Sequence, residues 1–258
     1  MGRQTVPIFR ALYASKNPPA AFHAARTGMR LGDDAATEVV LHVARSAGSS
    51  LQVPAVRELG HGEGSMQVRR VLRELLDDDN ELVRVTAYES LLRLGDVTTT
   101  QRFDIAGKFK LDLVKSRRGY VIYATQTGAP RIVLFGRDMS VTKPVFFNAP
   151  GDLVTANARP VDEKLMVYRK IPRTGTYSDT FKIDFYVRTL IRTLGSRPQH
   201  DENDEIMGLG LSYSQVVSVL HRMCREGDIP AKFVLQQPPV LQRISRGTAM
   251  GRPDVPIR

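Results

Sequence analysis

Cysteine is almost absent: one residue, Cys224, in 258. That excludes an intramolecular disulfide and a cysteine-rich metal centre, though a single thiol fixes no compartment. Long apolar runs are missing too. No stretch approaches the roughly 18 consecutive apolar residues of a membrane helix, and the first thirty residues lack the apolar core of a secretory signal. No membrane span is expected. A chain complete as written would be cytoplasmic.

Catalytic signatures are equally scarce. There is no G-x-S-x-G elbow, and Gly62-Glu63-Gly64-Ser65 reads as a loop in which Ser65 caps a helix. Gly208 and Gly210 precede a helical pattern, but Tyr213 stands where a dinucleotide loop needs its third glycine. Asp77, Asp79 and Glu81 alternate as in a calcium loop that lacks its glycine and distal glutamate. His221 and Cys224 lie three apart, yet Cys224 falls on an apolar stripe, where a thiol acts as a small hydrophobe. The acidic run Asp201, Glu202, Asp204 and Glu205 beside His200 reads as a solvated loop, and His23, His42 and His61 are scattered. The expectation is no catalytic residue, no cofactor and no metal, hence no enzyme.

What is present is an ordinary globular mixture, 42% hydrophobic and 25% charged, with net charge +10. Residues 1–100 hold 12 Lys/Arg against 12 Asp/Glu, and residues 101–258 hold 25 against 15. The whole excess lies in the second part. With the polar stretch Val97–Gln101, this charge step predicts a domain boundary near residue 97.

The strongest structural signal runs from Ser65 to Asp96. Val68, Val71, Leu72 and Leu75 share one helical face, and Val83, Ala87, Leu91 and Leu94 share another. The acidic turn Asp77-Asp78-Asp79-Asn80 stops one helix and caps the next. Helices this short need a packing partner. The second run, through Val83-Arg84, Ala87, Leu91 and Leu94-Gly95-Asp96, resembles the second helix of a HEAT repeat. The segment ending Leu31-Gly32-Asp33 aligns with it, Ala24 on Ala87 and Arg30 on Arg93, and a third candidate ends at Leu59-Gly60. The resemblance implies that residues 1–97 stack as helical pairs, with Arg84 tying repeats together through a carboxylate in a turn.

Beyond residue 97 the period shortens. Phe109, Leu111 and Leu113 alternate with polar neighbours, and Lys115–Gly119 reads as a turn. Further strands are predicted over 120–125, 131–135, 145–147, 153–155 and 165–168, with a strand through Phe181, Ile183 and Phe185 leading into a helix over 184–194. Ser212 with Gln215 marks a capping box for a helix stopped by Gly227, and 231–235 reads as a closing strand. The expected fold is multidomain α and α+β: a HEAT-like α-helical repeat stack (1–97), a basic, mostly antiparallel α+β domain (98–235), and a loosely ordered tail containing Pro and Arg (236–258).

YVIYATQTGAPRIVLFG at 120–136, a basic sheet region, and GLGLSYSQVVSVLHRMC at 208–224 resemble in their order the carboxyl-terminal region of HEAT-bearing bacterial flagellar P-ring-like proteins. That resemblance implies a periplasmic structural assembly, with an export signal upstream of Met1. The functional expectation is a non-enzymatic scaffold that binds unnamed protein partners. The alternative is a nucleic-acid-binding protein. Candidate anion or nucleic-acid contacts are Lys108, Lys110, Lys115, Arg117, Arg118, Arg188 and Arg192, with Tyr120 and Tyr123 placed to stack on bases.

Overall fold

A computed structural model describes residues 6–171, 174–200 and 206–237. The expected tail at 236–258 and the acidic run at 201–205 lie almost wholly outside the described residues. Six helices come first: α1 (Val6–Tyr13), α2 (Pro18–Arg30), α3 (Asp34–Arg45), α4 (Gln52–Leu59), α5 (Met66–Glu74) and α6 (Glu81–Arg93). Strands follow: β1 (Thr100–Ile105), β2 (Phe109–Val114), β3 (Val121–Ala124), β4 (Arg131–Phe135), β5 (Val145–Asn148), β6 (Thr155–Ala158), β7 (Leu165–Tyr168) and β8 (Phe181–Ile183). Then come α7 (Val187–Gly195), the short pair β9 (Gln199–His200) and β10 (Ile206–Met207), α8 (Tyr213–Glu226) and β11 (Lys232–Leu235). Among the described residues no helix is long and apolar enough to cross a membrane.

Local chemistry sets the helix limits. Asn17 and Asn80 cap α2 and α6 with their side chains, and Ser65 accepts the Val68 N–H at 3.3 Å to start α5. After α2 and α6, Gly32 and Gly95 take left-handed φ values of +78° and +70°. The aspartates that follow each receive an arginine from the preceding helix, Arg10 to Asp33 at 2.8 Å and Arg73 to Asp96 at 2.6 Å. The two helical hairpins are thus built alike. The third candidate is not: Gly60 has φ −72°, in the right-handed region.

The expected HEAT-like stack is overturned, whereas the strands beyond it pair mostly antiparallel, as expected. No solenoid is evident; the structure is a mixed α+β arrangement, with helices mostly amino-terminal and two sheets beyond them. The reason lies in what covers the helices. Val83, Ala87, Tyr88 and Leu91 of α6 share a core with Val121, Tyr123, Val133 and Phe135 of the sheet, where a solenoid would put a further helical pair. Consequently α6 is buried nearly all round, as a helix between two layers must be. Arg84 does not reach a carboxylate in a neighbouring turn. Its Nη1 donates to the Gly119 carbonyl at 2.7 Å, tying helix to sheet.

The five-stranded sheet runs β1-β2-β4-β3-β11 and is mixed: β2 pairs β4 in parallel, and β3 pairs β11 in parallel. Both of its faces are covered. Val114, Val121, Val133 and Phe135 face the helices, whereas Leu111, Leu113, Ile122, Ile132 and Leu134 join α7, α8 and the second sheet in the other core. Double burial explains why β3 and β4 read as unbroken apolar runs. The second sheet is antiparallel, β5-β6-β7-β8. Its second strand begins at Thr155; the preceding residues Pro150–Asp152 form a tight turn with Gly151 at φ +69°, which displaces the strand expected over 153–155.

Candidate anion-binding cleft

The turn after β2 is pinned from below by one carboxylate. Asp77 Oδ1 accepts the Ser116 hydroxyl at 2.9 Å and the backbone N–H of Arg117 at 2.7 Å and of Arg118 at 3.3 Å. Burial pushes the Asp77 carboxyl up, but these hydrogen bonds and the Arg118 charge outweigh it and hold it below the usual value. Asp77 is therefore an anchor for a basic turn, which accounts for the alternation that resembles a calcium loop.

Beside this turn opens a 750 Å³ cleft, walled by the start of α6, the Arg117–Tyr120 segment and the Gly227–Lys232 connection from α8 into β11. Its cations are Arg84, Arg117, Arg118 and Lys232, and its carboxylates are Asp79 and Glu81. Arg118 pairs with Asp79 at 3.1 Å and Lys232 with Glu81 at 3.0 Å. Arg84 and Arg117 have no ion-pair partner among the described residues. Arg84 is only 3% exposed, its Nη1 also lies 3.4 Å from the Ser116 hydroxyl, and its Nε is buried without a hydrogen-bond partner. Burial lowers its pKa against the opposing charges of Glu81 and Asp77. Cys224 also lines the cleft, with its thiol pushed up to about 12 by burial, so it carries no reactive thiolate near neutrality.

The seven basic residues singled out from sequence do not converge. Arg117 and Arg118 line the cleft, and Lys115 precedes them in the same turn without lining it. Lys108 lies at the other end of β2, about 20 Å away by strand rise. Its Nζ donates to the carbonyls of Gly195, Gly210 and Leu211 at 2.9–3.0 Å, fastening the end of α7 and the approach to α8. Lys110 forms an ion pair with Asp104. Arg188 stacks on Tyr186 at 4.3 Å and donates to the Arg137 carbonyl at 3.2 Å, and Arg192 lies over Phe103 at 5.9 Å. Tyr120 lines the cleft, but Tyr123 is buried, hydrogen-bonded to Glu89 and unable to stack on a base.

Sequence reading missed Arg84 and Lys232 as cleft residues because the fold brings them in from distant segments. It also missed Asp112, which alternation places on a polar face. The helices cover that face, and Asp112 is fully buried there. It accepts two hydrogen bonds from Arg102 at 2.9 and 3.0 Å, one from Arg131 at 2.7 Å and one from the Tyr88 hydroxyl at 2.5 Å. Burial alone would raise this carboxyl; the arginine and tyrosine donors reverse the direction. Every carboxylate oxygen is engaged, which makes Asp112 a tie between α6 and the sheet.

A second surface stands apart. On the outer face of the second sheet, Phe146 is 81% exposed, in register with Asn157 and Met166, and nearby Val161 is 79% exposed. Pro144, Ala158, Pro160 and Met166 complete a 430 Å³ apolar groove around Phe146. β5 is an edge strand, and among the described residues nothing pairs with its outer side.

Comparison with protein-family models, with curated proteins and with solved structures finds no match to this chain.

Proposed function

We propose that the protein is a non-enzymatic assembly component that associates with a second copy of itself through β5. The observation that carries this reading is an open sheet edge beside an exposed apolar face. An exposed apolar patch with an unpaired strand edge favours docking. The strand Val145-Phe146-Phe147-Asn148 holds no charge that would oppose its own copy. A twofold centred on Phe146 sets the two Phe146 rings side by side and opposes Val145 to Phe147, an isologous contact. Pro144 and Pro150 limit the pairing to this short stretch.

Sedimentation velocity across the micromolar range tests the reading. The expected outcome is a concentration-dependent dimer for the wild type and a monomer for Phe146→Asp at unchanged circular dichroism. A wild type that stays monomeric throughout overturns it. Nucleic-acid binding, the alternative, has less support in the geometry, since four of the seven basic candidates are engaged elsewhere in the fold.

A further inference from the structure

We infer that the cleft beside Arg84 is a binding site for a single phosphoryl-class oxyanion, held between Arg84 and Arg117. The inference is independent of self-association, because the cleft and the β5 edge are built from different elements.

Three observations carry it. First, the cleft walls hold four cations and two carboxylates, and the two ion pairs that form leave Arg84 and Arg117 without an ion-pair partner among the described residues, Arg84 feeling Glu81 and Asp77 only through space. Second, Arg84 is almost wholly buried, yet its Nε has no partner. A buried donor left unsatisfied is costly, and native structures normally supply it with protein, water or an ion. Third, the guanidinium is already oriented: the Gly119 carbonyl and Ser116 hydroxyl fix one side of its fork. A planar fork held in place is the preferred partner of a phosphoryl group.

The same walls select the size of the ligand. Asp79 and Glu81 flank the free cations, so a continuous polyanion laid along the surface would meet two carboxylates. One compact anion carrying about two negative charges matches the two free cations and avoids that repulsion. Tyr120 and Pro230 add an apolar wall suited to the carbon part of a phosphate monoester.

Isothermal titration calorimetry with inorganic phosphate, against sodium chloride of equal ionic strength, tests the site in the full chain. Saturable binding is expected, weakened about tenfold by Arg117→Ala, the scale of one charge-assisted hydrogen bond. Arg84→Lys, which retains the charge and loses the fork, is expected to weaken binding with circular dichroism unchanged. Should that variant fail to fold, Arg117→Ala and Arg117→Glu still decide the question. A phosphoserine and a short single-stranded oligonucleotide then separate the sources. Binding of phosphate and phosphoserine with shallow salt dependence supports the inference, whereas oligonucleotide binding alone, falling steeply with salt, overturns it in favour of nucleic acid. Absence of saturable phosphate binding, or binding indifferent to both arginine variants, also overturns it.

Discussion

At the scale of single residues, buried polar groups fasten the helices to the sheet, and their ionisation sets a pH limit. Tyr88 and Tyr123 are raised above the ordinary value of 10.0, first by burial and then by the carboxylates of Asp112 and Glu89 beside them. Cys224 shifts the same way, from 9.0 to about 12, through burial alone. A folded-state pKa above the unfolded one gives stability that is complete below the unfolded value and is lost as pH climbs past it. Burial raises Tyr13 and Tyr213 as well, and Lys108, lowered by burial, works the opposite way as one group against five. The urea midpoint is expected to fall as pH rises from about 9 to 11, with a shallower fall in Tyr88→Phe. A midpoint flat across that range counts against the burial of these hydroxyls. Lys108 itself shows how a lysine that reads as a surface cation becomes a clamp once three carbonyls converge on it.

At the scale of elements, α6 is the pivot, since it touches helices on one side and sheet on the other. Ala87, fully buried where α6 meets its neighbours, leaves no room for a long charged side chain. Ala87→Arg is expected to cost about 4 kcal/mol, the scale of a buried unpaired charge. An unchanged melting temperature would place Ala87 at the surface. Elements written by local chemistry were legible in sequence. The Ser212/Gln215 capping box starts α8 and Gly227, at φ +87°, ends it, while the apolar runs at 131–135 and 165–168 became β4 and β7. What could not be read was which strands meet. The parallel pairing of β2 with β4 and of β3 with β11 joins segments distant in the chain, and only that pairing buries Asp112 and gives α6 a sheet to lie on. The site divides the same way: Lys115, Arg117 and Arg118 stand together in one turn, whereas Arg84 and Lys232 reach the cleft through tertiary contact.

At the scale of the whole molecule, the central sheet serves two cores at once. Its Val121, Tyr123, Val133 and Phe135 cover the helices, so a fragment ending at residue 97 would expose the surfaces those residues bury. Such a fragment is expected to keep helical circular dichroism and lose a cooperative thermal transition, the signature of secondary structure without fixed packing. A sharp transition near that of the full chain would show that the helices form a folding unit of their own and would place a true boundary there.

The position of β11 also fixes an order of events during synthesis. It lies alongside β3 and fastens to α6 through Lys232 with Glu81 and through Gln236 with Glu89. Both of those partners leave the ribosome well before β11 does. Until then a nascent chain carries an unpaired β3 edge whose residues are all apolar, a state that invites a chaperone.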